Sequence, residues 1–312
     1  MTNRNWVMAN KQSNRKAVEI AIMSGKGGTG KTSLSAAFST IEPNRVVVDC
    51  DVDAANLHLI LQPETYVEEP FLSGHTAEID YSLCTHCRLC ASYCRFDAIS
   101  LKEDRIWIDE VACDGCKLCA RICPEQAITM APSQNSRWYI GNYRNGKLIY
   151  ARLAPGEENS GRLVSLVREE ARKVAAETHS EVIIIDGPPG TGCPAIASIT
   201  GAKMVVAVTE PSQSGLHDLK RLVELTANFH IPSFVVINKH DLNPAMSRKI
   251  ETWCIEKGIE MIGKIPFNDN IVEAMVHCKS VVEWDPESEP AKMAKTIWET
   301  VMDRAETVAT KE

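Results

Sequence analysis

The sequence predicts an α/β fold: a mostly parallel sheet covered by helices on both faces, with a small α+β module inserted into it. Short apolar runs alternate with amphipathic stretches through most of the 312 residues, as in a sheet built from strand–helix–strand crossovers. A glycine-rich turn, GKGGTGKT at 25–32, lies between the first apolar run and the first helical stretch. Two cysteine runs of identical spacing, CTHCRLCASYC and CDGCKLCARICP, fall together within 84–124.

In chain order, residues 1–16 are polar and read as a disordered extension. Ala17 to Met23 is an apolar run expected as a buried strand, and Lys31 to Phe38 opens a helix. Residues 17–76 and 131–312 are expected to form the two parts of one α/β domain, with 77–130 as the insertion. WYIGNYRNGKLIYARL, at 138–153, reads as a hairpin with Asn145-Gly146 at its turn. EVIIID, AKMVVAV, SFVVIN and EMIGKIP are the later strands, separated by helical segments such as Gly215 to Asn228. The final stretch, Ala291 to Ala309, carries an apolar stripe of Met293, Ile297, Trp298, Val301 and Met302 that suits core packing.

The turn fits the phosphate-loop pattern G-x-x-x-x-G-K-[ST] through Gly25, Gly30, Lys31 and Thr32. Glycines let the backbone curl so that N–H groups and the positive helix start point at phosphate oxygens. The expected cradle is Gly25, Lys26, Gly27, Gly28, Thr29, Gly30, Lys31, Thr32 and Ser33, with Lys31 on the terminal phosphates and Thr32 on Mg²⁺. Gly25, Gly27 and Gly30 also satisfy G-x-G-x-x-G, with Asp49 and Asp51 where a dinucleotide fold keeps its ribose-binding acid. That alternative gives Lys31 and Thr32 no task. It also ignores VIIIDGPPG at 182–190, an apolar strand ending in Asp186 as a second Mg²⁺-side carboxylate should.

With Lys26 inside it, the loop resembles the deviant Walker A loop of the MinD/ParA class of P-loop ATPases, shared with the nitrogenase iron protein and the Mrp-type cluster carriers. The resemblance implies a homodimer formed on ATP binding, in which Lys26 reaches the partner subunit's nucleotide. VVVDCDVDAANLHL, residues 46–59, is similar to switch I of that class, implying that Asp51 orients the attacking water and Asp49 supports Mg²⁺ through water. DGPPG at 186–190 is similar to switch II, implying that the Gly190 N–H senses the γ-phosphate. Lys26, Lys31 and Asp51 are then the catalytic candidates, and Thr32, Asp49 and Asp186 the Mg²⁺ candidates. Asp53 reads equally well as a solvated strand end. VVINKHD, at 235–241, resembles the N-K-x-D element by which GTPases read guanine through Asn238 and Asp241. In the MinD-like class the equivalent Asn contacts adenine, and IPFND at 265–269, with Pro266, would pack beside the base. The loop type favours ATP, with GTP left open.

Cys84, Cys87, Cys90 and Cys94 follow C-x-x-C-x-x-C-x-x-x-C, and Cys113, Cys116, Cys119 and Cys123 repeat it before Pro124. This spacing resembles that of a bacterial two-cluster ferredoxin, in which three close thiolates hold one [4Fe–4S] cube and the fourth crosses to the other. It implies one cluster on Cys84, Cys87, Cys90 and Cys123, and a second on Cys113, Cys116, Cys119 and Cys94. FDAISL and EQAITM mark the accompanying duplication, while Arg95 replaces the proline that often follows the fourth cysteine. Zinc does not require a triple-plus-one repeat. No secretion leader is evident, so a reducing cytoplasm is expected, where disulfides are rare. Cys50, Cys254 and Cys278 read as packing residues; Cys193, just after switch II, is placed to couple nucleotide and redox states or to bridge a cluster across a dimer. The C-P-x-C of Mrp-type carriers is absent near the C-terminus.

A net charge of −7 argues against nucleic-acid binding, and no apolar run approaches the ~20 residues of a membrane span. The overall pattern resembles MinD-superfamily ATPases with an inserted ferredoxin domain. It implies an ATPase coupling nucleotide state to electron transfer through two [4Fe–4S] clusters to a protein partner. Cofactor assembly or delivery, and redox-sensing positioning like that of MinD and ParA proteins, are the alternatives.

Overall fold

The computed structural model describes residues 16–72, 74–155, 157 and 159–309, so nearly all of the expected N-terminal extension lies outside the described residues. The first elements are β1 (Val18–Ser24), α1 (Lys31–Ile41), β2 (Arg45–Asp49), α2 (Leu57–Leu61) and β3 (Glu64–Phe71). The inserted segment follows as β4 (His75–Ile79), α3 (Leu89–Ser92), β5 (Ile99–Lys102), β6 (Arg105–Ile108), α4 (Leu118–Ile122) and β7 (Ile128–Pro132). The chain returns through β8 (Ser136–Tyr143), β9 (Gly146–Arg152), α5 (Ser160–Thr178), β10 (Val182–Pro189), α6 (Cys193–Ile199), β11 (Met204–Thr209) and α7 (Gln213–Asn228). It ends with β12 (Ser233–Asn238), α8 (Pro244–Glu256), β13 (Glu260–Ile265), α9 (Asp269–Val276), α10 (Val281–Trp284) and α11 (Glu289–Ala309).

Nine strands form one sheet in the order β13-β12-β11-β1-β10-β2-β9-β8-β3. Every pairing from β13 to β9 is parallel; β8 alone runs against its two neighbours, β9 and β3. The central strands are apolar on both faces, with every residue of β11 buried, as a sheet covered on both sides demands. One face packs against α5, α6, α7 and α8, the other against α1, α2, α9, α10 and α11. Trp298 of α11 is fully buried and meets Phe38 of α1 at a ring separation of 5.0 Å, which ties the last helix to the one that follows the glycine-rich loop.

The hairpin differs from its sequence expectation in one detail. Tyr143 pairs with Gly146, so the two turn residues are Arg144 and Asn145. Gly146 instead opens β9 beside β2, where a Cβ would lie 1.9 Å from the Arg45 carbonyl oxygen, and this close approach is why glycine stands there.

Residues between β3 and β8 form two small antiparallel ladders, β4 with β7 and β5 with β6. Their duplication extends to the backbone: His86 and Gly115, Arg88 and Lys117, and Asp97 and Gln126 take left-handed φ values at matching positions of the two repeats. The buried apolar side chains among the described residues of this segment are few: Ala77, Ala98, Ile99, Ile106, Ala127 and Ile128.

Candidate functional site

The glycine-rich loop leaves the C-terminal end of β1, at the centre of the sheet where parallel α/β folds place their ligands. Gly30, at φ +89°, caps α1, and a Cβ there would lie 2.1 Å from the Asn238 side-chain nitrogen. No side chain caps the start of α1, so its first-turn N–H groups are available to an anion.

Behind the loop a buried polar knot joins α1 to the end of β10. Lys31 Nζ lies 2.8 Å from Asp186 Oδ1, Thr32 Oγ1 donates to Asp186 Oδ2 at 2.9 Å, and Ser35 Oγ donates to Asp186 Oδ1 at 2.7 Å. Burial would lower the Lys31 pKa, but Asp186 more than offsets this and holds the ammonium charged. Ser35 escaped the sequence reading; its only signal is a hydroxyl one helical turn after Lys31.

Asp49, at the end of β2, is fully buried and accepts three backbone N–H groups, from Asp51 at 3.0 Å, Asn56 at 3.2 Å and Leu57 at 3.1 Å. Burial, then the neighbouring Asp186 charge, push its carboxyl up to about 7. Asp51 is half-buried beside it and is raised in the same direction, chiefly by burial, whereas Asp53 is exposed. The structure therefore gathers Lys31, Thr32, Asp49, Asp51 and Asp186 at the end of three neighbouring strands. Such a set can neutralise phosphate charge and ligate a hard cation.

Lys26 points elsewhere. Its Nζ lies 2.6 Å from Glu210 and donates to Ser214 Oγ at 2.9 Å and Ser212 Oγ at 3.2 Å. Burial alone would raise the Glu210 pKa, but Lys26 and Lys239 hold it below the ordinary carboxylate value. The Gly190 N–H donates to the Ser24 carbonyl at 2.9 Å, which ties the end of β10 to the end of β1.

Asn238 donates to the Thr29 carbonyl at 2.8 Å, and Asp241 accepts the Phe267 N–H at 2.7 Å. The N-K-x-D residues thus brace the phosphate loop on one side and the loop containing Pro266 on the other. Gly30, Ser33, Asn238 and Ile265 border a pocket whose remaining lining is largely apolar.

The cysteines of the inserted segment surround two further cavities. Cys84, Cys87, Cys90 and Cys123 line one; Cys94, Cys113, Cys116 and Cys119 line the other. Among the described residues no group of three or more His, Cys, Asp or Glu side chains converges on a point that would hold a single metal ion. The Ala127 N–H donates to Cys123 Sγ at 3.3 Å, and a His86 ring nitrogen lies 3.9 Å from Cys84 Sγ. Cys50 and Cys254 are buried, and burial pushes their thiols up to about 12 and about 11, so both pack rather than react. Cys193 is exposed at the start of α6.

A strand, a glycine-rich loop and a helix facing carboxylates on two neighbouring strands define a P-loop nucleotide-binding protein. Residues 20–281 match the CobQ/CobB/MinD/ParA nucleotide binding domain, and the chain belongs to that family. It is 31% identical over 289 residues to an uncharacterized protein of Methanocaldococcus jannaschii, MJ0578, covering 92% of this chain and 97% of the relative. Its fold is similar to the septum site-determining protein MinD complexed with Mg-ADP from Pyrococcus horikoshii OT3, with TM-score 0.57, 19% identity, and 94% and 98% of the two chains covered. It is similar also to a MinC:MinD cell division protein complex from Aquifex aeolicus, with TM-score 0.55, 17% identity, and 92% and 96% covered. No helix among the described residues is long and apolar enough to cross a membrane.

Proposed function

We propose that this chain is a Mg²⁺-dependent ATPase switch of the MinD/ParA type whose nucleotide cycle acts on two [4Fe–4S] clusters held by the inserted segment. The observation that carries the proposal is the pairing of one P-loop site with two cavities, each lined by three cysteines of one run and the fourth of the other. The family match and the MinD-like fold support the ATPase half. Adenine is favoured over guanine because the phosphate loop is of the MinD/ParA type, the family to which the chain belongs.

Within the nucleotide site, Lys31 would leave Asp186 for the terminal phosphates, and Thr32, Asp186 and Asp49 would hold a magnesium ion that neutralises phosphate charge. Asp51 orients the attacking water. Lys26, released from Glu210, crosses to the nucleotide of a second copy, which makes hydrolysis depend on the dimer. The Gly190 N–H exchanges its bond to Ser24 for the γ-phosphate. Positioning and charge neutralisation suffice for this chemistry.

The inserted segment is short and buries little apolar surface, the situation in which small domains rely on metal or covalent staples. Two four-cysteine sets suit this need, and iron–sulfur clusters would supply one-electron chemistry there. Electron transfer to a protein partner is the use such clusters most directly support. The MinD-like neighbours favour a second reading, in which the clusters report redox state to a positioning ATPase. Iron, sulfide and nucleotide counts on anaerobically purified protein test the shared claim. Electron flow to an acceptor then separates the two readings, since a sensor needs none.

A further inference from the structure

The inserted segment interrupts the chain between β3, the edge strand, and β8, the strand beside it, both well away from the glycine-rich loop. The sheet itself spans the distance, with Asp49 of β2 paired to Tyr150 of β9 and β9 paired to β8, and one helix runs alongside it. The five-residue helix α2 begins where Asp49 accepts the Asn56 and Leu57 N–H groups, so its first turn is bonded directly to a carboxylate of the nucleotide site. Its last carbonyls, of Ile60 and Leu61, accept from the Arg144 guanidinium at 3.3 and 3.2 Å. Between these ends His58 stacks on Tyr150 of β9 with ring centroids 5.0 Å apart and planes within 3°. Tyr150 stacks in turn on Tyr139 of β8 at 4.7 Å, and its hydroxyl lies 3.3 Å from Thr65 Oγ1 of β3. Arg152 closes the stack, 2.6 Å from His58 Nε2 and over the Tyr139 ring.

We infer that α2, acting through the His58–Tyr150–Tyr139 stack, is a side-chain link, beside the backbone pairing of β2 with β9, by which the nucleotide site positions the strands that carry the inserted segment. Packed interfaces shift between discrete arrangements rather than deforming continuously. A helix tethered to Asp49 at one end and stacked through His58 on Tyr150 must therefore transmit or resist any movement of residues 49–57 that accompanies nucleotide binding. His58, Tyr150 and Tyr139 touch no expected ligand, so their role is positioning. The inference deepens the proposed coupling but stands on the nucleotide site and the fold alone, whatever the cysteines bind.

Hydrogen exchange of the full chain, with and without MgATP, tests it by reading residues 75–79 and 128–132. The expected result is a nucleotide-dependent change of about fivefold or more in the exchange of these strands, at the low end of ordinary coupling. His58→Ala and, from the other end of the stack, Tyr139→Leu should each lose most of that change while binding MgATP within about twofold of the native chain. Tyr150→Phe keeps the ring and should retain the change. No nucleotide-dependent change in the native chain, or an undiminished one in whichever of the two stack variants folds, would overturn the inference. Iron content of the same samples decides the cluster reading separately: iron-free protein with an intact exchange response removes the clusters and leaves this link standing.

Discussion

Lys31 and Asp186 lie 2.8 Å apart in a site where the lysine is 6% and the aspartate 0% exposed, and that pair holds the nucleotide site closed on itself. Removing one partner leaves the other charge buried. Lys31→Ala is expected to cost about 3–5 kcal/mol of stability and to weaken nucleotide binding by about ten- to a hundredfold. Adding Asp186→Asn should restore part of the stability and none of the binding. Denaturant unfolding and nucleotide titration check the two halves.

Lys26 is parked on Glu210 of its own chain. Glu210→Ala should free it and raise the fraction of dimer at a given ATP concentration by several-fold, whereas Lys26→Ala should give no ATP-dependent dimer. Sedimentation with and without nucleotide reads both. A Glu210→Ala protein with unchanged dimerisation would show that the contact is incidental.

The carboxyl of Asp49, pushed up to about 7, sets a pH dependence. Folded protein binds this proton more tightly than unfolded chain does, so the contribution to stability is present at low pH and is lost as pH rises from the ordinary carboxylate range through 7. A bound cation favours the ionised form. MgADP binding should therefore release about half a proton near pH 7 and progressively less above pH 8. Calorimetry in buffers of different ionisation heat measures the release; proton uptake at pH 7 would contradict the assignment.

The two cysteine cavities give separable expectations. On the proposed ligation, Cys90→Ala and Cys119→Ala should each lower iron from about eight to about four atoms per chain, because Cys90 and Cys119 line different cavities. Loss of all iron in both variants would mean that the sites are not independent.

Much of this was legible in the sequence because it is local. Apolar runs such as VIIID and KMVVAV are short and rich in β-branched residues, which suits strands buried on both faces, and the fixed spacings of Gly25 to Thr32 and of the cysteines carry their own chemistry. What could not be read depends on distant neighbours. Ser35 acquires its role only because β10 brings Asp186 beside α1, and Glu210 meets Lys26 across 184 positions of chain. His58, Tyr139 and Tyr150 are unremarkable singly and align only once α2, β8 and β9 are assembled. The turn at Arg144-Asn145 was missed for a similar reason, since Gly146 answers to the Arg45 carbonyl and not to the hairpin.

The most direct test is the iron–sulfur electron paramagnetic resonance of reduced full-length protein, followed through a potentiometric titration with and without saturating MgATP. Two cluster signals should be present, and at least one midpoint should move by about 30 mV or more when nucleotide binds, half the ~59 mV that a tenfold change implies for one electron. Folded, nucleotide-binding protein that gives no such signal, or signals whose midpoints are identical in both conditions, would refute the coupling.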